Sequence, residues 1–356
     1  MWLSDKSKRL NLALQGGGAH GAFTWGVLDQ LLCDKQIELS WISGSSAGAI
    51  NAIAVAHGLA KGGRQAARDT LQAIWSEVES AHVPDLLRFN PVLSSLARSA
   101  SGMFSPYSFN PLGFDPLRKI IAQHIDFDAI RANKSVNVMI AATEVATGRA
   151  RIFAGDELSI EAVLASACLP MLHHAVEIDG RAYWDGGFSA NPDLLSLASN
   201  SPVGDTLLVL LNPVSTLKIP RTAVAIEDRI NTITFNQPLL RDVDAIVAAK
   251  QETLGWFAPR NRGVACLKAH RFHLIEAAEH TAELNPDTKV TPDRDVLSAL
   301  HQAGRCEAEQ WLAAHKDLVG KRSTVDLYEH FVAPRLDAGV NQLPDDGAEL
   351  SLARSA

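Results

Sequence analysis

Cysteine is scarce in this chain and lies without pattern. Cys33, Cys168, Cys266 and Cys306 are the only four among 356 residues. None stands in a CxxC spacing, which excludes a disulfide framework or a zinc knuckle and suits buried free thiols in a reducing, cytoplasmic compartment. An excess of positive charge is also missing. The 33 lysines and arginines face 40 aspartates and glutamates, a formal charge of −7, so nucleic acid is not an expected partner. No stretch reaches the roughly 18 to 20 uncharged apolar residues that a spanning helix needs, so any lipid contact would be peripheral. The apolar run behind the basic N-terminal residues is short and glycine-rich, unlike a signal-peptide core, and export by that route is not expected. Internal repeats and low-complexity blocks are absent.

What is present is a hydrophobic share of 47%, enough over this length for one large core or two smaller ones. Leu10 to Gln15 reads as a strand, Ala22 to Cys33 as a helix, Ile37 to Ser43 as a second strand and Ala49 to Ala60 as a small-residue helix. Two successive strand-loop-helix units imply a parallel sheet within an α/β fold. Further strands are expected at Val136 to Thr143, at Leu207 to Asn212, and in a hairpin of Ala175 to Ile178 with Ala182 to Trp184, turned by Asp179-Gly180. Helices are expected over 64–78, 160–166, 223–254 and 293–315, with one alternating strand from Val264 to Ile275. The proline- and phenylalanine-rich stretch from Val83 to Pro116 reads as a loop-rich flap whose Leu86, Leu87, Phe89, Phe104, Phe109 and Phe114 offer apolar surface for an acyl chain. Trp256 and Phe257, beside Arg260, Arg262, Lys268 and Arg271, offer a peripheral contact with an anionic bilayer.

Three short segments carry chemistry. Gly44-Ser45-Ser46-Ala47-Gly48 fits GxSxG between an expected strand and an expected helix. A nucleophilic serine on such a turn adopts strained dihedrals, and Gly44 and Gly48 remove the side chains that would clash with neighbouring backbone. Ser46 is then the exposed hydroxyl, although the same pattern also suits a plain helix N-cap. Gly16, Gly17 and Gly18 follow the first strand, where their N–H groups and the helix beginning near Gly21 can stabilise an oxyanion. Asp185-Gly186-Gly187 is first a turn signature, yet it also places an acid at a strand end where a base can approach a serine.

Two competing assignments use some of the same residues. Gly16 to Gly21 also spells GxGxxG, and a non-catalytic dinucleotide-binding protein would recruit Glu38 to the ribose. Glu38 lies at the start of the second strand, whereas the ribose acid belongs at its end. A P-loop is excluded because no GK[ST] follows the glycines. An α/β-hydrolase-type Ser-His-Asp triad could use His270 or His273, which follow Asp185 in the chain order of that fold. That fold, however, places several strands before its nucleophile. The residues His273, Glu276 and His280 lack the ligand spacing of a zinc site.

The glycine loop, the GxSxG elbow and the later DGG occur in the order that marks the patatin-like acyl hydrolases, and the chain resembles that family over residues 8–212. Ala165-Ser166-Ala167-Cys168-Leu169-Pro170 is similar to the family's small-residue segment upstream of the aspartate. Residues 213–335, including Asp228-Arg229-Ile230-Asn231 and Arg322-Ser323-Thr324-Val325-Asp326, resemble a mostly helical C-terminal extension of some bacterial members. The remainder, 336–356, is expected to be a disordered tail. The resemblance implies a three-layer α/β fold with a mainly parallel central sheet. It also implies a lipid acyl hydrolase of phospholipase A, lysophospholipase or carboxylesterase type, acting on a lipid or acyl ester through a Ser46-Asp185 dyad and an acyl-serine. Gly16, Gly17 and Gly18 would form the oxyanion hole, with no cofactor and no metal. A monomer and a homodimer both remain open. Where the family usually carries Arg or Lys beside the glycine loop, this chain has His20.

Overall fold

The computed structural model describes residues 7–80, 105–113, 115–216, 219–251, 262–281, 284 and 294–333. Most of the expected flap between Val83 and Pro116, the pair Trp256 and Phe257 with Arg260, and the tail from 336 onward lie outside these residues.

The first strand, β1 (Lys8–Leu14), leads through a short turn into α1 (Gly21–Cys33), and β2 (Ile37–Gly44) leads into α2 (Ala47–Lys61) and α3 (Gly63–Ser80). Two short helices follow, α4 (Pro116–His124) and α5 (Phe127–Ala132). They precede the strands β3 (Asn137–Glu144) and β4 (Ala150–Ala154) and the helix α6 (Ile160–Ser166). The hairpin β5 (Val176–Ile178) and β6 (Arg181–Asp185) turns at Asp179 and Gly180, both with positive φ, as a tight Asp-Gly turn requires. Next come α7 (Leu194–Asn200), β7 (Asp205–Leu210), α8 (Ala223–Gln251) and α9 (Arg262–Ala269), then β8 (Arg271–Glu276) and α10 (Arg294–His315).

All eight strands form one sheet in the order β5-β6-β3-β2-β1-β7-β8, with β4 on the far edge of β3. The pairs β3-β2, β2-β1, β1-β7 and β7-β8 are parallel, and the β3-β4, β3-β6 and β5-β6 pairs are antiparallel. The central strands are buried on both faces, which is why they read as continuous apolar runs. Their side chains alternate between two cores. Leu12 and Leu14 of β1 and Leu207 and Val209 of β7 join α1, α2, α3 and α10 on one side. Ala13, Leu208 and Leu210 join α7, α8 and α9 on the other. Each fully buried leucine on either face contributes about 1.5–3 kcal/mol relative to exposure. The result is a three-layer α/β architecture with a mostly parallel sheet and a helical C-terminal region.

One expected element takes a different form, and the strand β4 was not expected. The stretch read as a single strand from Val264 to Ile275 is a helix to Ala269 and a strand only from Arg271. Leu267 is the one buried residue of that helix, packed against α7 and α8, so the apparent alternation of apolar residues does not mark alternating burial. The helices α4, α5 and α7 were not anticipated, although each opens on an aspartate whose carboxylate accepts a backbone N–H of the first turn: Asp115, Asp126 and Asp193. Among the described residues no helix is long and apolar enough to cross a membrane.

Candidate active site

Parallel strands deliver their C-terminal ends to one edge of the sheet, where loops can build a site. Gly16, Gly17 and Gly18 follow β1 there, and the GxSxG turn follows β2. Asp185 arrives from the opposite direction. Because β4 occupies residues 139–143 of β3 along one edge, β2 and β6 must share the other edge end to end. Strand β2 runs with β3 and β6 runs against it, so their C-terminal residues meet.

Ser46 opens α2 with φ 53 and ψ −123, a strained conformation for a residue with a side chain. Its surroundings hold it there. The Ser46 N–H donates to Ser166 Oγ at 2.9 Å, and the buried Ser45 hydroxyl donates to the Ala190 carbonyl. A methyl group on Gly48 would come within 2.2 Å of the Leu14 carbonyl oxygen, and one on Gly16 within 2.8 Å of Ser46 Cβ. Glycine at these two positions lets the elbow press against the end of β1.

Asp185 is 0% exposed. Its N–H donates to the Cys168 carbonyl at 2.8 Å, its own carbonyl accepts from the Thr143 hydroxyl at 2.7 Å, and its Oδ1 accepts the Gly187 N–H at 2.7 Å. Burial pushes the carboxyl up to about 7, against the Gly187 hydrogen bond and the Ser46 side chain, which both pull it down. No hydrogen bond of normal geometry closes onto Oδ2, which is buried and has no partner among the described residues. Ser46 is nonetheless a neighbour of the carboxyl, close enough for its side chain to act on it. Burial and the Asp185 charge together push the adjacent Cys168 thiol up to about 12, which keeps it protonated at neutral pH; it is the buried one of the four thiols, whereas Cys33 and Cys306 are exposed and Cys266 half-buried, against expectation.

The glycine loop is not uniform. Gly16 N–H donates to Asn191 Oδ1 at 2.7 Å, so its place here is steric as well as hydrogen-bonded. Gly17 is partly exposed and Gly18 exposed, with Gly18 at φ 58. Neither N–H donates a hydrogen bond among the described residues. The residues that sequence reasoning missed are the supports. Ser166 and the Cys168 carbonyl come from the small-residue segment already singled out, whereas Asn191 and Phe235, whose ring borders Gly187, gave no local signal.

The rival residues are elsewhere. His273 pairs through Leu207 and Leu12 to Ile42, three strands from β2 and so about 14 Å away. Its ring bonds Asp205 at 3.2 Å and the Thr324 hydroxyl at 3.0 Å, while His270 bonds the Thr206 hydroxyl at 2.7 Å and burial holds it down at about 4. Neither can serve Ser46 as a third member. Glu38 is the second residue of β2, where it accepts the Ser7 hydroxyl at 2.9 Å, at the end of the strand remote from the glycines. No group of three or more His, Cys, Asp or Glu among the described residues could hold a metal ion.

A family model described as patatin-like phospholipase matches residues 12–198. No curated protein matches the chain. Among solved structures, VipD from Legionella pneumophila aligns at 16% identity over 86% of this chain and 67% of that one, with a TM-score of 0.45. Full-length ExoU, in its complex with SpcU from the type III secretion system of Pseudomonas aeruginosa, aligns at 13% identity over 88% and 80%, with a TM-score of 0.27. Overlaps of that quality say nothing about shared ligands or activity.

Proposed function

The chain belongs to the patatin-like phospholipase family, and from that premise we propose that it is a lipid acyl hydrolase, of phospholipase A, lysophospholipase or carboxylesterase type, in which Ser46 is the nucleophile and Asp185 its base. The observation that carries the reading is the Asp185 carboxyl, fully buried, raised to about 7, and beside the hydroxyl of a serine held in a strained elbow. Residues 8–212 would form the catalytic core. Residues 213–335 would extend it, with β8 joining the same sheet.

The chemistry follows from the charges. An ordinary aspartate is too weak a base to take a serine proton, and burial strengthens it by making its ionised form costly. In its ionised form Asp185 would accept the Ser46 proton as Oγ attacks the acyl carbonyl. The carbonyl oxygen gains negative charge in a site of low dielectric, where the free N–H groups of Gly17 and Gly18 and the N-terminal end of α1 would stabilise it. Collapse of the tetrahedral intermediate expels the alcohol, which takes the proton back from Asp185. Water then attacks the acyl-serine as Asp185 takes its proton, and collapse of the second tetrahedral intermediate breaks the Oγ–acyl bond, the proton passing from Asp185 to Ser46 Oγ as the fatty acid leaves.

A lipid-class hydrolysis panel with wild-type and Ser46→Ala protein, paired with a fluorophosphonate probe, tests this. Wild-type should hydrolyse at least one class and label on Ser46, and the variant should do neither. Hydrolysis that survives Ser46→Ala would remove the proposal.

A further inference from the structure

Four side-chain amides are buried around the start of the glycine loop. Gln15, Asn191, Asn212 and Asn236 are 0%, 0%, 5% and 2% exposed. Buried amides are costly unless bonded, so their arrangement is informative. Gln15 Oε1 accepts the N–H groups of Leu211 at 2.8 Å and Asn212 at 2.9 Å, and its Nε2 donates to Asn236 Oδ1 at 2.9 Å. Asn236 Nδ2 donates to the Pro213 carbonyl at 3.0 Å. Asn191 Oδ1 accepts the Gly16 N–H at 2.7 Å, and its Nδ2 donates to the Phe235 carbonyl of α8 at 3.0 Å. Asn212 Nδ2 donates to the Gly16 carbonyl at 3.3 Å.

Both backbone groups of Gly16 are therefore taken by side chains. Those side chains come from the loop after β6 and from the end of β7, and the first is tied in turn to α8. Three consecutive glycines have the greatest backbone freedom available to a chain, so a loop made of them cannot hold its amides at one point unaided. A donor that must be reorganised during reaction is worth far less than one fixed beforehand.

Resting on the reading of Ser46 and Asp185 above, we propose that Asn191 is a positioning residue: with Asn212 it clamps the Gly16 peptide, so that the amides of Gly17 and Gly18 are held toward the acyl carbonyl. It touches no reacting atom. Its hydrogen bonds reach Gly16 and Phe235, whereas Ser46 and Asp185 take theirs from other groups.

The test compares Asn191→Leu, which removes the acceptor at similar volume, with Asn191→Asp, which keeps an oxygen for the Gly16 N–H. Rates are taken per fluorophosphonate-labelled site. Asn191→Leu should lower kcat by about 10- to 100-fold with KM changed by less than about threefold, and Asn191→Asp should lose less. The pH midpoint of kcat/KM should stay at the wild-type value, since the base is untouched. A kcat within about twofold of wild-type, or a loss that moves KM and the pH midpoint together, overturns the proposal. If Asn191→Leu does not fold, amide exchange in the wild-type protein decides. Gly16 should exchange at least about tenfold more slowly than Gly17 and Gly18, and equal rates overturn the clamp. Ser46→Ala, run alongside, separates the two readings: activity surviving in that variant removes the proposed function, whereas activity lost there but kept in Asn191→Leu removes only the clamp.

Discussion

Gly44 and Asp185 end their strands on the same edge of β3, paired with Ile140 and Ala142. One strand runs with β3 and the other against it, so an elbow that follows the first and a carboxylate that closes the second are brought together by a single ladder of hydrogen bonds. The site's geometry is thus a property of the sheet, and what loosens the sheet at β3 should loosen the pair.

Activity should follow the ionisation of Asp185. With its carboxyl pushed up to about 7, kcat/KM should rise about tenfold per pH unit below neutrality and level off above it. Initial rates on a soluble ester from pH 5 to 9 measure this. Asp185→Asn should cost roughly 10²- to 10⁴-fold, the usual range for loss of a general base. A flat profile in the wild-type protein would exclude Asp185 as the titrating base.

The same carboxyl should make the fold pH-dependent. Its folded pKa lies above the ordinary value of 3.8, so the folded state holds the proton more tightly. Its contribution to stability is present in full below about pH 4 and is lost as pH rises through about 7. Asp185→Asn, which cannot ionise, should therefore be the more stable protein at pH 8, by an amount on the order of 4 kcal/mol, and nearly equal to wild-type at pH 4. Denaturant melts at the two pH values check the crossover.

His273 should matter to stability and not to the serine. Burial alone would raise the Asp205 carboxyl, but hydrogen bonds from His273, Arg271 and the Gly320 N–H hold it well below the usual carboxylate range. His273→Ala should lower stability by about 1–3 kcal/mol while leaving fluorophosphonate labelling of Ser46 at the wild-type rate. Loss of labelling in a folded His273→Ala protein would revive the triad.

The C-terminal helix should prove integral to the fold. A methyl group on Gly26 of α1 would lie 2.0 Å from the His301 carbonyl oxygen, and one on Gly304 of α10 would lie 2.0 Å from that of Phe23. Backbone meets backbone at this crossing. Beside it, Asp29 gathers Arg68, Arg305 and His301. Gly304→Leu should cost about 3 kcal/mol or more, because neither backbone can yield to the added side chain. Thermal melts compared with Ala313→Leu, on the exposed face of the same helix, provide the control.

Much of this was legible in the chain. The parallel core, the Asp-Gly hairpin and the helix at Ile160–Ser166 follow from apolar runs, turn chemistry and period, all of which are local. Gly16–Gly18, Ser46 and Asp185 stood out because each sits in a short pattern of permissive residues. The helix at Arg262–Ala269 was misread as strand, since its single buried position, Leu267, is chosen by the helices it meets. Asn191 gave no signal, because a buried asparagine is recognisable only by the partners that surround it.

Composition, apolar periodicity and the residue types at three turns determined by themselves the fold class and the kinds of chemical group on offer. Those are short-range properties, written within a few residues of each other. The tertiary structure alone decided that β6 abuts β2 along β3, that Asp185 is sealed from water and so becomes a stronger base, and that side chains remote in sequence take both ends of the Gly16 peptide. Strand order and burial arise from packing across the whole chain, and electrostatics in a protein depend on what surrounds a charge rather than on what precedes it.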